Sequence, residues 1–157
     1  MDARLFRNAM GKFATGVTVI STKLGEETHG MTANAFMSVS LDPPLVVVSI
    51  DHRASMLGKI KESETFAVSI LAEDQQYLSQ HFAGKPEEGT VVPWTTLEDY
   101  PVLDGAVAQV VCDVAAVHVE GDHTLYIGKV KAIQVEERNP LLFFSGGYKK
   151  LAVEQNV

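Results

Sequence analysis

Residues 106–135 read AVAQVVCDVAAVHVEGDHTLYIGKVKAIQV, and the fold turns on how they are read. Residues 106–119 alternate loosely and carry Val110, Val111, Val114, Val117 and Val119, a β-branched content suited to a pleated, half-buried strand. Gly121-Asp122 is a two-residue turn signal that closes antiparallel hairpins. Residues 124–135 return as a second strand, in which Gly128 is expected to mark a bulge. Cys112 falls on the first strand and reads as a small core residue rather than a nucleophile.

Working outward, VTVIST (17–22), LVVVSI (45–50), FAVSIL (66–71) and LLFF (141–144) read as further strands, and the polar stretch Lys23 to Gly30 as a hairpin loop. Residues 2–13 place Phe6, Met10 and Phe13 at helical spacing behind Asp2 as N-cap. A second short helix is expected near Met56 to Glu62, with Met56, Leu57 and Ile60 inward. A third is expected with Asp74 as its cap, Tyr77, Leu78 and Phe82 on one face and Gly84 at its stop. Residues 85–101, with Pro86, Pro93 and Pro101, read as irregular surface or a lid. The sum is a mainly β chain of about six or seven hairpin-linked strands with two or three helices. Antiparallel sheets of this kind close into barrels because closure removes aggregation-prone edges. No repeat or linker divides the chain, which reads as one domain over residues 1–157.

Composition narrows the function. The net charge is −7, so a nucleic-acid partner, which needs a basic surface, is disfavoured. Lys and Arg are scattered, and no apolar run reaches the ~20 residues that span a bilayer, so no membrane association is expected. One cysteine permits no intrachain disulfide, and the first residues lack a signal-peptide core; the expected location is cytoplasmic. No GxGxxG follows a strand, and GxxxxGK[ST], HExxH, GxSxG and zinc-spaced Cys/His clusters are absent. Hydrolase, metalloenzyme and NTPase readings weaken together.

Four segments carry residue types suited to a ligand. GMTANAFMSVSLDPP (30–44) combines small side chains, which let a planar ring approach the backbone, with Thr32, Asn34, Ser38 and Ser40 as hydrogen-bonding groups. On composition alone the stretch reads more readily as a polar strand pair ending in a Pro-Pro turn. DHRASML (51–57) sets Arg53 and Ser55 where a strand feeds a helix: a phosphate site, or a plain N-cap with a solvated Arg53. Gly121-Asp122-His123 projects an imidazole from a turn, or is simply a hairpin corner. LLFFSGGY (141–148) offers Gly146 and Gly147 for close approach and Tyr148 for stacking, or tucks aromatics into the core.

Together and in this order, these segments resemble the flavin-reductase-like, FMN-binding split-barrel family. The resemblance runs through FRNAMGKFATGVTVIST (6–22), HGMTANAFMSVSLDPP (29–44), FAVSIL (66–71), the DQ..LS..FAG pattern (74–84), GDHTLYIGKV (121–130) and PLLFFSGGY (140–148), with residues 85–101 matching least. Within the family the chain looks most similar to the small reductase component of two-component phenol hydroxylases. The resemblance implies a homodimer of antiparallel split β-barrels with flavin near the subunit interface. It implies reduction of FAD or FMN by NADH or NADPH, and diffusion of reduced flavin to a larger oxygenase, in this subgroup with FAD and NADH.

By the same resemblance, Thr32, Ala33, Asn34 and Ala35 hold the flavin ring and ribityl chain; on that footing the backbone N–H groups around Ala33 to Ala35 are expected to stabilise charge on the ring's pyrimidine edge. Ser38, Ser40, Arg53 and Ser55 serve the ribityl and phosphates. Met31, Val39, Ser49 and Phe82 complete the cofactor-binding set. His123 orients the nicotinamide without donating a proton, and Tyr148 lines the nucleotide side. Ser69 stands where relatives have Asn, and Ser145 and Gly147 stand where they have basic or imidazole side chains. The competing reading is a flavin-binding electron carrier of flavoredoxin type without nicotinamide turnover. A pyridoxamine-phosphate-type oxidase ranks lower, because it calls for a richer basic cradle.

Overall fold

The hairpin that decided the reading is the spine of the structure. In the computed structural model, which describes residues 1–152, β9 (Ala108–Glu120) and β10 (His123–Val135) pair antiparallel along their whole length. Gly121, at φ 62°, makes the turn that a side chain would strain. The register shifts between Ile127 and Gly128, as the glycine implied, and shifts again between Val130 and Ala132, which nothing in the residue pattern announced.

Around this hairpin, β2 (Thr18–Leu24), β3 (Glu27–Ala33), β4 (Phe36–Ser40), β5 (Leu45–Asp51) and β6 (Thr65–Ile70) complete a seven-stranded antiparallel sheet in the order β3-β2-β6-β9-β10-β5-β4. Its two edge strands, β3 and β4, are joined only by Asn34-Ala35. A chain covers at most ~3.6 Å per residue, so strands at opposite ends of the order stand side by side only if the sheet curls through almost a full turn. The result is barrel-like in shape, with no ladder between β3 and β4 to close it.

The barrel interior holds Ile20, Val48, Ile50, Phe66, Val68 and Cys112, and α2 (Met56–Ser63) plugs it with Met56 and Ile60. A second core, of Val17, Val19, Leu71, Leu78, Leu103 and Leu141, lies where α3 (Gln76–Phe82) covers the outer face of β2. Helix α1 (Ala3–Met10) has Asp2 as its N-cap, whose carboxylate accepts from the backbone N–H groups of Arg4 and Leu5, yet none of its residues is buried.

Several elements differ from the sequence reading. The stretch from Lys23 to Gly30 is mostly strand, because Gly25 at φ 59° turns the chain within two residues. Asp74 does not cap α3. Gln75 occupies that position, its side-chain amide accepting from Ala72 N–H at 3.0 Å and donating to the Asp104 carbonyl at 2.8 Å. Tyr77 is exposed; Leu78 and Ser79 are the buried residues of that helix. Residues 94–103 form a hairpin, β7 (Trp94–Leu97) with β8 (Tyr100–Leu103), rather than irregular surface. Its turn puts Glu98 and Asp99 at positive φ without a glycine, so no turn signal showed. Ser69 helps hold this hairpin, its hydroxyl accepting from Leu103 N–H at 3.0 Å. The chain ends in a short sheet of β1 (Thr15–Gly16), β11 (Leu142–Phe144) and β12 (Gly147–Lys149).

Cys112 is a core residue, as its pattern implied, and burial pushes its thiol from 9.0 up to about 12. The folded value lies above the unfolded one, so this contribution to stability is complete below about pH 8.5 and is lost as pH rises toward 12. The urea midpoint is therefore expected to fall across that alkaline window, and less steeply in Cys112→Ala. A thiol reagent at pH 8 is expected to label the native protein only as it unfolds.

Candidate functional site

Strand β5 alternates, sending Val46, Val48 and Ile50 into the core and Ser49 and Asp51 to the outer face. Register carries that face sideways. Ser49 lies opposite Leu125, Asp51 lies opposite His123, and Ser49 N–H donates to the Ala35 carbonyl at 3.1 Å. Ala35, Ser49 and His123 therefore share one end of the outer surface, with Arg53 two residues beyond Asp51.

Arg53 is fixed by Asp51. Its Nη2 donates to Oδ2 at 2.8 Å, its Nε to Oδ1 at 3.1 Å, and its backbone N–H to Oδ1 at 2.8 Å. These bonds, the side-chain ones first, hold the Asp51 carboxyl well below the usual carboxylate range. The Arg53 side chain is 87% exposed, and its remaining guanidinium N–H groups have no acceptor among the described residues. His123 Nδ1 pairs with Asp122 Oδ1 at 2.8 Å, which lowers the Asp122 carboxyl and leaves Nε2 without a partner among the described residues.

A second group gathers on the other side of the Asn34-Ala35 connection. Thr32 Oγ1 donates to the Ser79 carbonyl at 2.6 Å, and Ser79 Oγ shares a 2.7 Å hydrogen bond with Tyr148 Oη. Phe82 packs over Gly30, where an added Cβ would lie 2.7 Å from the ring. Thr32, Phe82 and Tyr148, distant in sequence, thus belong to one assembly built around α3. Ser79 was missed in the sequence; its one signal is a hydroxyl next to Leu78 on the face that α3 buries.

Met31 and Ala33 face the opposite way, against the barrel core. Ser38, exposed Val39 and Ser40 lie along β4, where the register slips past Val39. Ser55 stands at the N-cap of α2 but makes no capping bond with its side chain. No described hydrogen bond joins His123 to the Thr32–Ser79–Tyr148 chain.

The donor set suits a flavin. Asn34 and Ala35 lie outside the strands, and their backbone N–H groups have no acceptor among the described residues. The hydroxyls of Ser38, Ser40, Ser49 and Ser55 are likewise free within the described residues. Small side chains, unpartnered amides and free hydroxyls beside a guanidinium match a planar heteroaromatic ring that carries a polyol and phosphate. Of the residues weighed as ligand contacts in the sequence, Asn34 and Gly146 line one of two further clefts. These are one of ≈ 700 Å³ between α2 and the β9–β10 hairpin and one of ≈ 610 Å³ beside α1.

Fold, residue order and donor set define one class, and residues 10–152 match the flavin reductase like domain. The chain belongs to that family. An NADH-dependent flavin reductase from a Rhodococcus species is 47% identical over 148 residues, covering 92% of this chain and 84% of the relative. The reductase component of 4-hydroxyphenylacetate 3-monooxygenase from Thermus thermophilus is 44% identical, covering 93% and 95%. Among solved structures, the flavin reductase PheA2 superposes with a TM-score of 0.95 at 57% identity, covering 98% of this chain and 100% of that one. The Streptomyces globisporus NADH:FAD oxidoreductase SgcE6, in complex with NAD and FAD fragments, does so with 0.89 at 36%, covering 99% and 96%.

Proposed function

We propose that this protein is an NADH-dependent flavin reductase that hands reduced FAD or FMN to a separate monooxygenase, an aromatic hydroxylase. The observation that carries the reading is the pair of unpartnered backbone N–H groups at Asn34 and Ala35, flanked by free hydroxyls, in a chain of this family. A bound flavin supplies the two-electron redox chemistry. The protein's part is to bind, orient and polarise. The Asn34 and Ala35 backbone N–H groups would hold the flavin ring, as preorganised donors suited to negative charge on it. Ser38, Ser40, Ser49 and Ser55 would hold the ribityl and phosphate with Arg53, while Val39 and Phe82 shape the seat and Met31 backs it from the barrel core. Asp122 fixes the ring of His123, whose free Nε2 orients the nicotinamide amide. The hydroxyl chain from Thr32 through Ser79 sets the position of Tyr148 on the nucleotide side.

The working unit is one domain over residues 1–157, paired as a homodimer in the cytoplasm. Residues 153–157 lie outside the described structure. Exposed Val117 and Val119, two residues apart near the turn of the β9–β10 hairpin, supply an apolar strip for a second copy. A lone buried thiol suits a reducing compartment. No described helix is long and apolar enough to cross a membrane.

Steady-state NADH oxidation with added FAD tests the function, and His123→Ala tests the orienting role. The variant is expected to raise the KM for NADH roughly tenfold with flavin affinity retained. Unchanged flavin reduction by NADH in that variant would remove His123 from the site.

A further inference from the structure

Asp51 ends β5 where the chain turns toward α2. Its backbone carbonyl accepts from Ala54 N–H at 2.9 Å and its Oδ1 from Arg53 N–H at 2.8 Å, so the residue shapes the turn twice over. The turn is also tied sideways, because His52 N–H donates to the Asp122 carbonyl at 2.9 Å. Arg53 thus rises from a backbone braced on both sides. Its side chain is braced as well. Asp51 occupies the Nε–Nη2 edge of the guanidinium, at 3.1 and 2.8 Å, and leaves the Nη1–Nη2 edge without an acceptor among the described residues. Exposure is unequal across the pair: the Asp51 side chain is 28% exposed and that of Arg53 87%. The carboxylate is the seated partner and the guanidinium the presented one. So exposed a pair adds little to stability. Its effect is to hold a long, rotamer-rich side chain in one pose. Asp122 is a second carboxylate within electrostatic reach of Arg53, and its Oδ1 is bonded to His123. Without Asp51, Arg53 would be free to draw on that carboxylate.

A guanidinium edge with two N–H groups side by side matches two oxygens of one phosphate, and a pose set in advance removes the ordering cost that a free arginine meets on binding. We propose that Asp51 is a positioning residue: it presents the open edge of Arg53 to the flavin phosphate and thereby sets a preference for phosphorylated flavins over riboflavin, whose ribityl chain ends in an uncharged hydroxyl. The proposal rests on the flavin reductase reading, with Arg53 at the phosphate. It deepens that reading by assigning ligand selectivity to a residue that touches no ligand.

The test uses the full chain with Asp51→Asn, Arg53→Ala and the double variant, each titrated with FMN and with riboflavin by flavin fluorescence. Asparagine keeps a side-chain oxygen for Arg53 N–H, so the turn persists, but it has no charge to hold the guanidinium. Asp51→Asn is expected to weaken FMN binding roughly tenfold and to leave riboflavin binding within about twofold of the parent. In the Arg53→Ala background the same substitution is expected to change FMN affinity by less than about twofold, because the group it positions is gone. Asp51→Ser, which also keeps an acceptor for that N–H, is the second variant and is expected to behave alike. Equal losses for FMN and riboflavin would overturn the proposal and leave Asp51 a turn former only. A tenfold loss that persists without Arg53 would overturn it too, as would FMN binding that is unchanged or tighter in Asp51→Asn. If Arg53→Ala binds FMN as the parent does, the proposal falls while the flavin reductase reading stands. If the parent binds neither flavin, that reading fails, which the parental titration records separately.

Discussion

Replacing Ala35 with phenylalanine is expected to weaken flavin binding at least about a hundredfold, close to 2.7 kcal/mol, while the fold survives. Ala35 sits between the two edge strands, is exposed, and shares an outer face with Ser49, to whose N–H its carbonyl is bonded. A benzyl group there occupies the space into which a flat ring must come to reach the Asn34 and Ala35 amides. Because the native side chain is exposed, little core packing is lost, and melting should move by no more than about 2 °C. Ala35→Gly serves as the control and should bind flavin nearly as the parent does. Fluorescence titration reads the outcome; unchanged affinity in the phenylalanine variant would place the flavin elsewhere.

Gly128→Val is expected to destabilise the protein by at least about 3 kcal/mol, lowering the melting temperature by roughly 6–12 °C. A Cβ on Gly128 would lie 2.5 Å from Phe66 Cζ and 2.7 Å from Cys112 Cβ, both fully buried at the centre of the barrel. These atoms belong to neighbouring strands, so relief requires shifting the sheet or leaving a rotamer minimum. Phe66→Leu in the same chain is expected to recover part of the loss, since it withdraws the nearest atoms. Thermal unfolding of the two single variants and the double variant measures this coupling. Additive losses would mean that the clash is not with Phe66.

The same glycine shows what the sequence makes legible. Gly128 within an otherwise continuous strand, and Gly121-Asp122 at its start, are local signals, and both were readable from the residues alone. The β7–β8 hairpin was not, because Glu98 and Asp99 adopt positive φ without the residue types that announce it. Asp74 looked like a cap by residue type, but Gln75 is the residue that bonds both flanking segments. The candidate site divides in the same way. Small and hydroxylated residues at 32–40 were visible, yet their composition alone did not separate a ligand seat from a polar strand pair; the resemblance to a family did. The Thr32–Ser79–Tyr148 chain and the α1 cleft join residues more than a hundred positions apart, and no local pattern reveals such contacts. The open edge between β3 and β4 depends on curvature, which the alternation of side chains does not encode.

The most direct measurement is anaerobic stopped-flow mixing of the protein and excess FAD with NADH, following loss of the oxidised flavin band. Bleaching of many equivalents of FAD per protein chain, saturable in NADH, is the predicted result. A protein that retains its yellow flavin while NADH leaves it oxidised would contradict the account and establish a flavin carrier without nicotinamide turnover.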